Sequence, residues 1–142
     1  IAMIWRSLIC FSWAALLHSA VVTGRVELRD ARTKDASGVV VWLQPVTAAS
    51  VGKPGRAVMV QKGKKFLPHV LVVQKGTSVE FPNYDPIFHN AFSNFSGQVF
   101  DVGLYKPGST RSVTFARPGV VRVFCNIHPT MAAYVVALPS MR

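Results

Sequence analysis

Apolar and polar residues alternate along most of the chain in short runs that are separated by turn residues. In Gly76–Pro82 (GTSVEFP), for example, Val79 and Phe81 fall on one face and polar residues fall on the other. Beyond the N-terminal stretch no run has the spacing of a helix, and Pro-Gly turns recur between the runs. The pattern therefore predicts a chain built of strands.

About nine strands are predicted, and they share a high content of Val, Phe and other β-forming residues. They are Gly24–Asp30, Gly38–Gln44, Val58–Gln61, Phe66–Val73, Gly76–Pro82, Phe100–Leu104, Arg111–Phe115, Val120–Phe124 and Ala132–Leu138. Short strands with regular turns are typical of an all-β fold, and we expect a Greek-key antiparallel β-sandwich.

The N-terminal stretch has the composition of an export signal. Arg6 precedes the apolar run Ser7–Leu17, and small residues follow that run. We predict a signal peptide over residues 1–23 and an exported, periplasmic protein, with an uncleaved membrane anchor as the alternative. Residues 24–60 are then expected to be an N-terminal β extension of the sandwich, and residues 61–142 its core.

Composition and charge narrow the classes of function. The chain has 142 residues, half of them hydrophobic, which excludes a disordered protein and a coiled coil. Its formal charge of +10 suggests an acidic partner. The charge run of Lys62, Lys64 and Lys65 is either a solvated turn or a docking patch for an acidic redox partner. Nucleic-acid binding is not expected, because no aromatic residues are interleaved with these lysines.

The cysteines point to a chemical role. Removal of the signal peptide would remove Cys10 and leave Cys125 as the single cysteine, which cannot form an internal disulfide. Cys125 lies in the segment Phe124–Met131 (FCNIHPTM), between two predicted strands. It is either an inert buried thiol, a partner in an intermolecular bond, a nucleophile or a metal ligand.

The residues around Cys125 favour the metal ligand. His128 and Met131 follow at the spacing C-x2-H-x2-M, and His89 lies 36 residues upstream in the loop after a predicted strand. One thiolate, two imidazoles and a thioether form the ligand set of a trigonal copper site with a weak axial Met. Met131 could instead fill a gap in the core.

This arrangement resembles the cupredoxins, the small blue copper proteins, and among them the amicyanin- and plastocyanin-like members. The resemblance covers Phe66–Leu138 and includes the short ligand loop, Gly76, Asn83 and His89-Asn90. It implies a copper ion at one end of the sandwich, held by His89, Cys125, His128 and Met131, with one copper per chain.

The resemblance also implies a function and supporting residues. Asn90 would tie the two ligand loops together, and Pro129 would support the site in an apolar patch through which electrons pass. The protein would be a one-electron carrier, not an enzyme, working between redox proteins such as a cytochrome c or a dehydrogenase.

Two alternatives stay open. The first is a copper-binding module that is not a carrier, such as a sensor or a chaperone. The second is a red copper site with an added carboxylate or histidine ligand, for which Glu80, Asp85 and His69 are candidates. A solvated strand end is the simpler interpretation of Glu80.

Overall fold

The computed structural model describes residues 21–29, 35–44, 53–94 and 97–139. The chain divides into two compact units, residues 1–34 and residues 35–142. In the first unit, residues 21–29 contain no strand, and all of them are exposed. The predicted signal peptide lies outside the described residues except for residues 21–23, so the predicted domain boundaries stay predictions.

The described part of the second unit contains ten strands in three sheets. The strands are β1 Arg56–Val58, β2 Val60–Gln61, β3 Phe66–Leu67, β4 Val70–Gln74, β5 Ser78–Pro82, β6 Phe92–Ser93, β7 Phe100–Asp101, β8 Thr110–Thr114, β9 Gly119–Phe124 and β10 Ala132–Leu138. The larger sheets have the strand orders β4-β10-β9-β6-β7 and β1-β5-β8, while β2 and β3 form a two-stranded hairpin. The predicted all-β sandwich is confirmed. No helix in the described ranges is long and apolar enough to cross a membrane.

Most strand pairs are antiparallel, as predicted, and two are parallel. β1 runs parallel to β5, and β4 runs parallel to β10 with Tyr134 opposite Val70. Parallel neighbours need a crossover connection because a tight turn reverses the chain direction. The chain between β4 and β10 therefore crosses from one sheet to the other before it returns.

The structure corrects several predicted strands. The described residues of Gly24–Asp30 and all of Gly38–Gln44 form no strand. Their Val-rich composition favours a strand only where a neighbouring strand is available for pairing, and tertiary context decides this. The predicted strand Phe66–Val73 divides into β3 and β4 because Pro68 cannot donate a hydrogen bond to a ladder. β6 was not predicted, since two residues are too few to show alternation.

The core lies between the two large sheets. In β9, Val121 and Val123 are fully buried, whereas Arg122 between them is exposed. This alternation places every second residue of the strand in the core. Phe81 packs against the Phe66 ring in an edge-on arrangement, with ring centroids 6.3 Å apart. Cys125 and Met131 belong to the same core, so the loop between β9 and β10 begins and ends in packed residues.

Candidate metal centre

A short loop of residues 125–131, here called the cysteine loop, joins β9 to β10. It begins and ends at one point of the sheet, because Phe124 pairs with Ala132. The amide of Cys125 donates to the carbonyl oxygen of Met131 at 3.2 Å, and the amide of Met131 donates to that of His128 at 2.9 Å. These bonds turn the loop back on itself. Cys125 is buried and His128 is half-buried.

A second segment, residues 83–90, brings the upstream histidine to the same place. This histidine segment is pinned by a bridge between His89 and Tyr105, whose backbones exchange hydrogen bonds of 2.9 and 3.2 Å. The His89 side chain is fully buried. Its Nδ1 lies 3.8 Å from the Sγ of Cys125, and the Nδ1 of His128 lies 3.6 Å from the same sulfur.

The three donor atoms have the spacing of a metal site. One donor atom from each of His89, Cys125 and His128 lies within 4.8 Å of the others. In zinc sites the metal–sulfur and metal–nitrogen bonds measure about 2.3 and 2.0 Å, so a trigonal ion would hold sulfur and nitrogen about 3.7 Å apart. The two observed separations bracket this value. The two sulfur–nitrogen separations therefore fit a single metal ion bound by Cys125 and both histidines.

Met131 lies at the end of the cysteine loop and is 1% exposed. It belongs to the same buried cluster as Cys125. Its backbone amide and carbonyl position the loop, and a Met thioether is the weak axial donor of trigonal copper sites. The structure therefore places all four predicted ligands at one end of the sandwich, and their ligand roles remain predictions.

Asp85 has a different place in the site from the solvated turn cap or added copper ligand that the sequence suggested. Its carboxylate is buried and accepts hydrogen bonds from His89 Nε2 at 2.8 Å, Lys64 N at 2.8 Å and Gly63 N at 2.6 Å. Burial raises the pKa of the Asp85 carboxyl, but the hydrogen bonds from Lys64, His89 and Gly63 outweigh it, so the pKa lies below its ordinary value. Its position four residues before His89, in a chain with six acidic residues, was the available signal.

Asn90 connects the two segments, as the resemblance implies. Its Oδ1 accepts a hydrogen bond of 3.2 Å from the amide of Asn126, the residue after Cys125. Its Nδ2 donates to Asp101 Oδ1 at 2.7 Å. A carboxylate only accepts hydrogen bonds, so Asp101 fixes the orientation of the Asn90 amide. Asn90 thus supports the relative position of the histidine segment and the cysteine loop.

A buried polar network lies behind the histidine segment. Gln61 Nε2 donates to the Asn90 carbonyl oxygen at 3.0 Å. The Tyr105 hydroxyl lies 2.6 Å from Gln61 Oε1 and 2.9 Å from the carbonyl oxygen of Phe81, and it can donate to either. Burial raises the pKa of Tyr105, and the nearby Cys125 raises it further, against the opposing effect of Arg111. Tyr105 therefore acts here as a neutral donor.

The outer edge of the site is apolar and cationic. Ile127 is 45% exposed and Phe88 is 55% exposed, and each precedes a candidate ligand in the chain. Pro129 is exposed beside His128. Burial lowers the pKa of His128, and its neighbours His89 and Lys64 lower it further, against the opposing effect of Asp85. His128 is the candidate ligand that is least enclosed by protein.

The other two candidates for an added ligand, His69 and Glu80, lie apart from this group. His69 is exposed and packs edge-on against Tyr134, with ring centroids 5.6 Å apart. Glu80 faces Arg56 at 3.5 Å on the three-stranded sheet. Neither joins His89, Cys125 and His128 in the metal-binding group found among the described residues.

Known structures resemble this chain. A Cu-containing nitrite reductase from Thermus scotoductus SA-01 matches 67% of the chain at 29% identity, with a TM-score of 0.56. This chain covers 25% of that reductase. A purple cupredoxin from Nitrosopumilus maritimus matches 58% of the chain at 23% identity and a TM-score of 0.53, over 99% of its own length. A Cu(I) structure of an amicyanin variant matches 58% of the chain at 22% identity and a TM-score of 0.55, over 82% of its own length. No family model and no curated protein matches the chain.

Proposed function

Because the chain has the cupredoxin fold, as its sequence predicts, we propose that it binds one copper ion and carries single electrons between larger redox proteins. The ligands are His89, Cys125, His128 and Met131. The observation that supports this most directly is the spacing of Sγ and the two Nδ1 atoms, 3.6 and 3.8 Å, at one end of a rigid sandwich.

The donor types suit copper in both oxidation states. Thiolate and thioether favour Cu(I), and imidazole serves both Cu(I) and Cu(II). A copper ion held there would supply one-electron exchange. The chain itself keeps Cys125 and His89 buried and fixed, so the donors would need little movement when the charge changes. No bound substrate is required for this role.

Rigidity favours a carrier over a chaperone. The cysteine loop starts and ends on paired strands, and the histidine segment is held by backbone bonds and by Asp85 and Asn90. A chaperone must release its metal, which is easier from a site with mobile donors. The held donors seen here favour retention of the ion.

The outer edge of the site supports docking of a redox protein. His128 is half-buried, and the exposed apolar residues Ile127 and Phe88 directly precede the candidate ligands His128 and His89 in the chain. Lys64 lies on the turn that Asp85 holds next to His89. We propose an acidic partner, such as a cytochrome c or a dehydrogenase, and a periplasmic location that follows from the predicted signal peptide. Electrostatic attraction would raise the encounter rate more than the affinity.

Copper titration of the purified chain tests the proposal. An intense thiolate-to-copper absorption band is expected to saturate at one equivalent of Cu(II), and to be lost in Cys125→Ser. Cys10→Ser in the uncleaved chain is the matched control and should keep the band, because it removes a thiol but retains Cys125. Absence of the band in the wild-type chain would overturn the copper site.

EPR of the same samples separates the kinds of copper site. A small copper hyperfine splitting is expected for the trigonal site proposed here. A red band with a tetragonal signal would show a further ligand and contradict the four-ligand set. His69→Ala and Glu80→Gln would then identify that ligand, and both should otherwise leave the spectrum unchanged.

Rate measurements with a small anionic oxidant test the cationic edge. Oxidation of the Cu(I) protein by hexacyanoferrate(III) should slow as ionic strength rises, because salt screens the attraction. Lys62→Gln combined with Lys65→Gln should lower the rate and weaken its salt dependence. A rate that is insensitive to salt would contradict docking at these lysines.

A further inference from the structure

The buried Asp85 carboxylate accepts hydrogen bonds from two different parts of the chain, the histidine segment and the turn Lys62–Lys65. Oδ2 accepts from His89 Nε2 and from Lys64 N, both at 2.8 Å, and Oδ1 accepts from Gly63 N at 2.6 Å. Its own amide donates to Asn83 Oδ1 at 3.0 Å. Asp85 is thereby fixed from three directions.

The turn that contacts Asp85 has an unusual backbone. Gly63 and Lys64 both have positive φ, 61° and 55°, in the hairpin between β2 and β3. Lys62 and Lys65 exchange backbone hydrogen bonds of 3.0 and 3.2 Å across it. That pairing leaves the amides of Gly63 and Lys64 without a partner in the hairpin. These are the two amides that donate hydrogen bonds to the Asp85 carboxylate.

We propose that Asp85 is a positioning residue of the metal centre and that, through it, the Lys62–Lys65 turn is a structural part of that centre. The inference deepens the proposed function and rests on it. A carboxylate can only accept hydrogen bonds, so the contact with Asp85 requires that His89 carries a proton on Nε2. Nδ1 is then left unprotonated and faces the sulfur of Cys125, ready to bind a metal ion.

The turn completes this arrangement. Because both turn amides hold the carboxylate, movement of the turn would move the acceptor of His89 as well. The lysines that present positive charge to a partner are thus carried by the same backbone that orients a ligand. The simpler alternative is that Asp85 only stabilises the hairpin, in which case loss of its charge would leave the metal properties unchanged.

Asp85→Asn in the full chain distinguishes the two roles. Asparagine keeps the shape but offers one acceptor oxygen and a donor group, so it cannot accept from all three N–H groups. We expect Cu(II) affinity, measured by competition with a chelator, to fall about 10- to 100-fold, with a changed EPR hyperfine splitting. Glu80→Gln removes a half-buried carboxylate that pairs with Arg56 outside the metal-binding group, and it is the matched control, with unchanged affinity and spectrum.

NMR of the wild-type chain tests the turn without any substitution. On loading with diamagnetic Cu(I), the amide resonances of Gly63 and Lys64 should shift more than those of Lys62 and Lys65, which bond to each other. The amide of Gly76, which donates to Phe115, serves as a reference in another turn. Equal shifts throughout the Lys62–Lys65 turn would overturn the role of the turn.

The outcomes separate this inference from the proposed function. If the wild-type chain shows no thiolate–copper band, the proposed function fails. If the wild-type band is present and Asp85→Asn matches Glu80→Gln in affinity and spectrum, the function stands and the positioning role is overturned. If Asp85→Asn does not fold, the amide shifts of the wild-type chain still decide the proposal.

Discussion

The two halves of the candidate metal centre are built in different ways. The cysteine loop supplies Cys125, His128 and Met131 from seven consecutive residues, and its shape follows from one strand pair and two backbone hydrogen bonds. The histidine segment supplies only His89, which is held by partners from distant parts of the chain, including Gly63–Lys64 through Asp85 and Tyr105 directly.

The difference shows how one site can combine exposure with rigidity. The cysteine loop is held locally, so it can leave His128 half-buried at the surface and still keep its shape. The histidine segment is held by buried polar groups, and removing the hydrogen-bond partner of any one of them lowers the stability of the protein. Substitutions in the two halves should therefore have unequal effects on the free energy of unfolding.

Replacing each of the two proposed ligand histidines separately should show the largest difference in stability between the two halves. His89→Ala leaves a cavity and a buried carboxylate with one partner fewer, so we expect the metal-free protein to lose about 3 kcal/mol. His128→Ala is expected to cost under about 1 kcal/mol, because the side chain is half-buried. Urea unfolding of both metal-free variants measures this. Similar losses would remove the proposed distinction between the two halves.

Tyr105→Phe tests the buried network behind the histidine segment. Loss of the hydroxyl leaves Gln61 Oε1 without its donor, and we expect a cost of about 1–3 kcal/mol in the free energy of unfolding. Tyr84→Phe is the matched control, since Tyr84 is 64% exposed and should change stability by less than about 0.5 kcal/mol. The network would be unimportant if the two variants unfolded at the same urea concentration.

Lys64→Gly should have a smaller effect of opposite sign. The left-handed backbone of Lys64 costs a residue with a side chain about 1–2 kcal/mol, and glycine avoids this but loses more entropy on folding. We expect a net gain of about 0.5 kcal/mol, with the amide contact to Asp85 retained. In Lys62→Gly, where φ is not positive, only the entropy loss applies, so thermal unfolding should show a loss.

Pro129→Ala should have the smallest effect. Pro129 is exposed, and its main contribution is to restrict the unfolded chain, so we expect a loss of about 0.4 kcal/mol. Thermal unfolding of the metal-free protein measures this loss. An unchanged copper spectrum in the same variant would show that Pro129 does not position His128, whereas a changed one would support the role implied by the resemblance.

Much of the fold could be predicted because alternation is a local property. β5, β8, β9 and β10 were predicted within two residues of their ends, and the cupredoxin resemblance is confirmed by the structural likenesses. The failures have a common cause. The Val-rich run Gly38–Gln44 has strand composition but no paired neighbour among the described residues, and the two-residue strand β6 exists only through its pairing with β7 and β9.

The sequence by itself determined the chemistry of the cysteine loop, because Cys125, His128 and Met131 are close along the chain and a turn between strands must bring them together. It could not determine the surroundings of His89. Asp85 has the appearance of an ordinary turn residue until folding places the amides of Gly63 and Lys64 against its carboxylate. Tyr105 follows a predicted strand and gives no signal of its own until its backbone pairs with His89. Contacts between residues distant in sequence depend on how the sheets pack, and no local pattern records that packing.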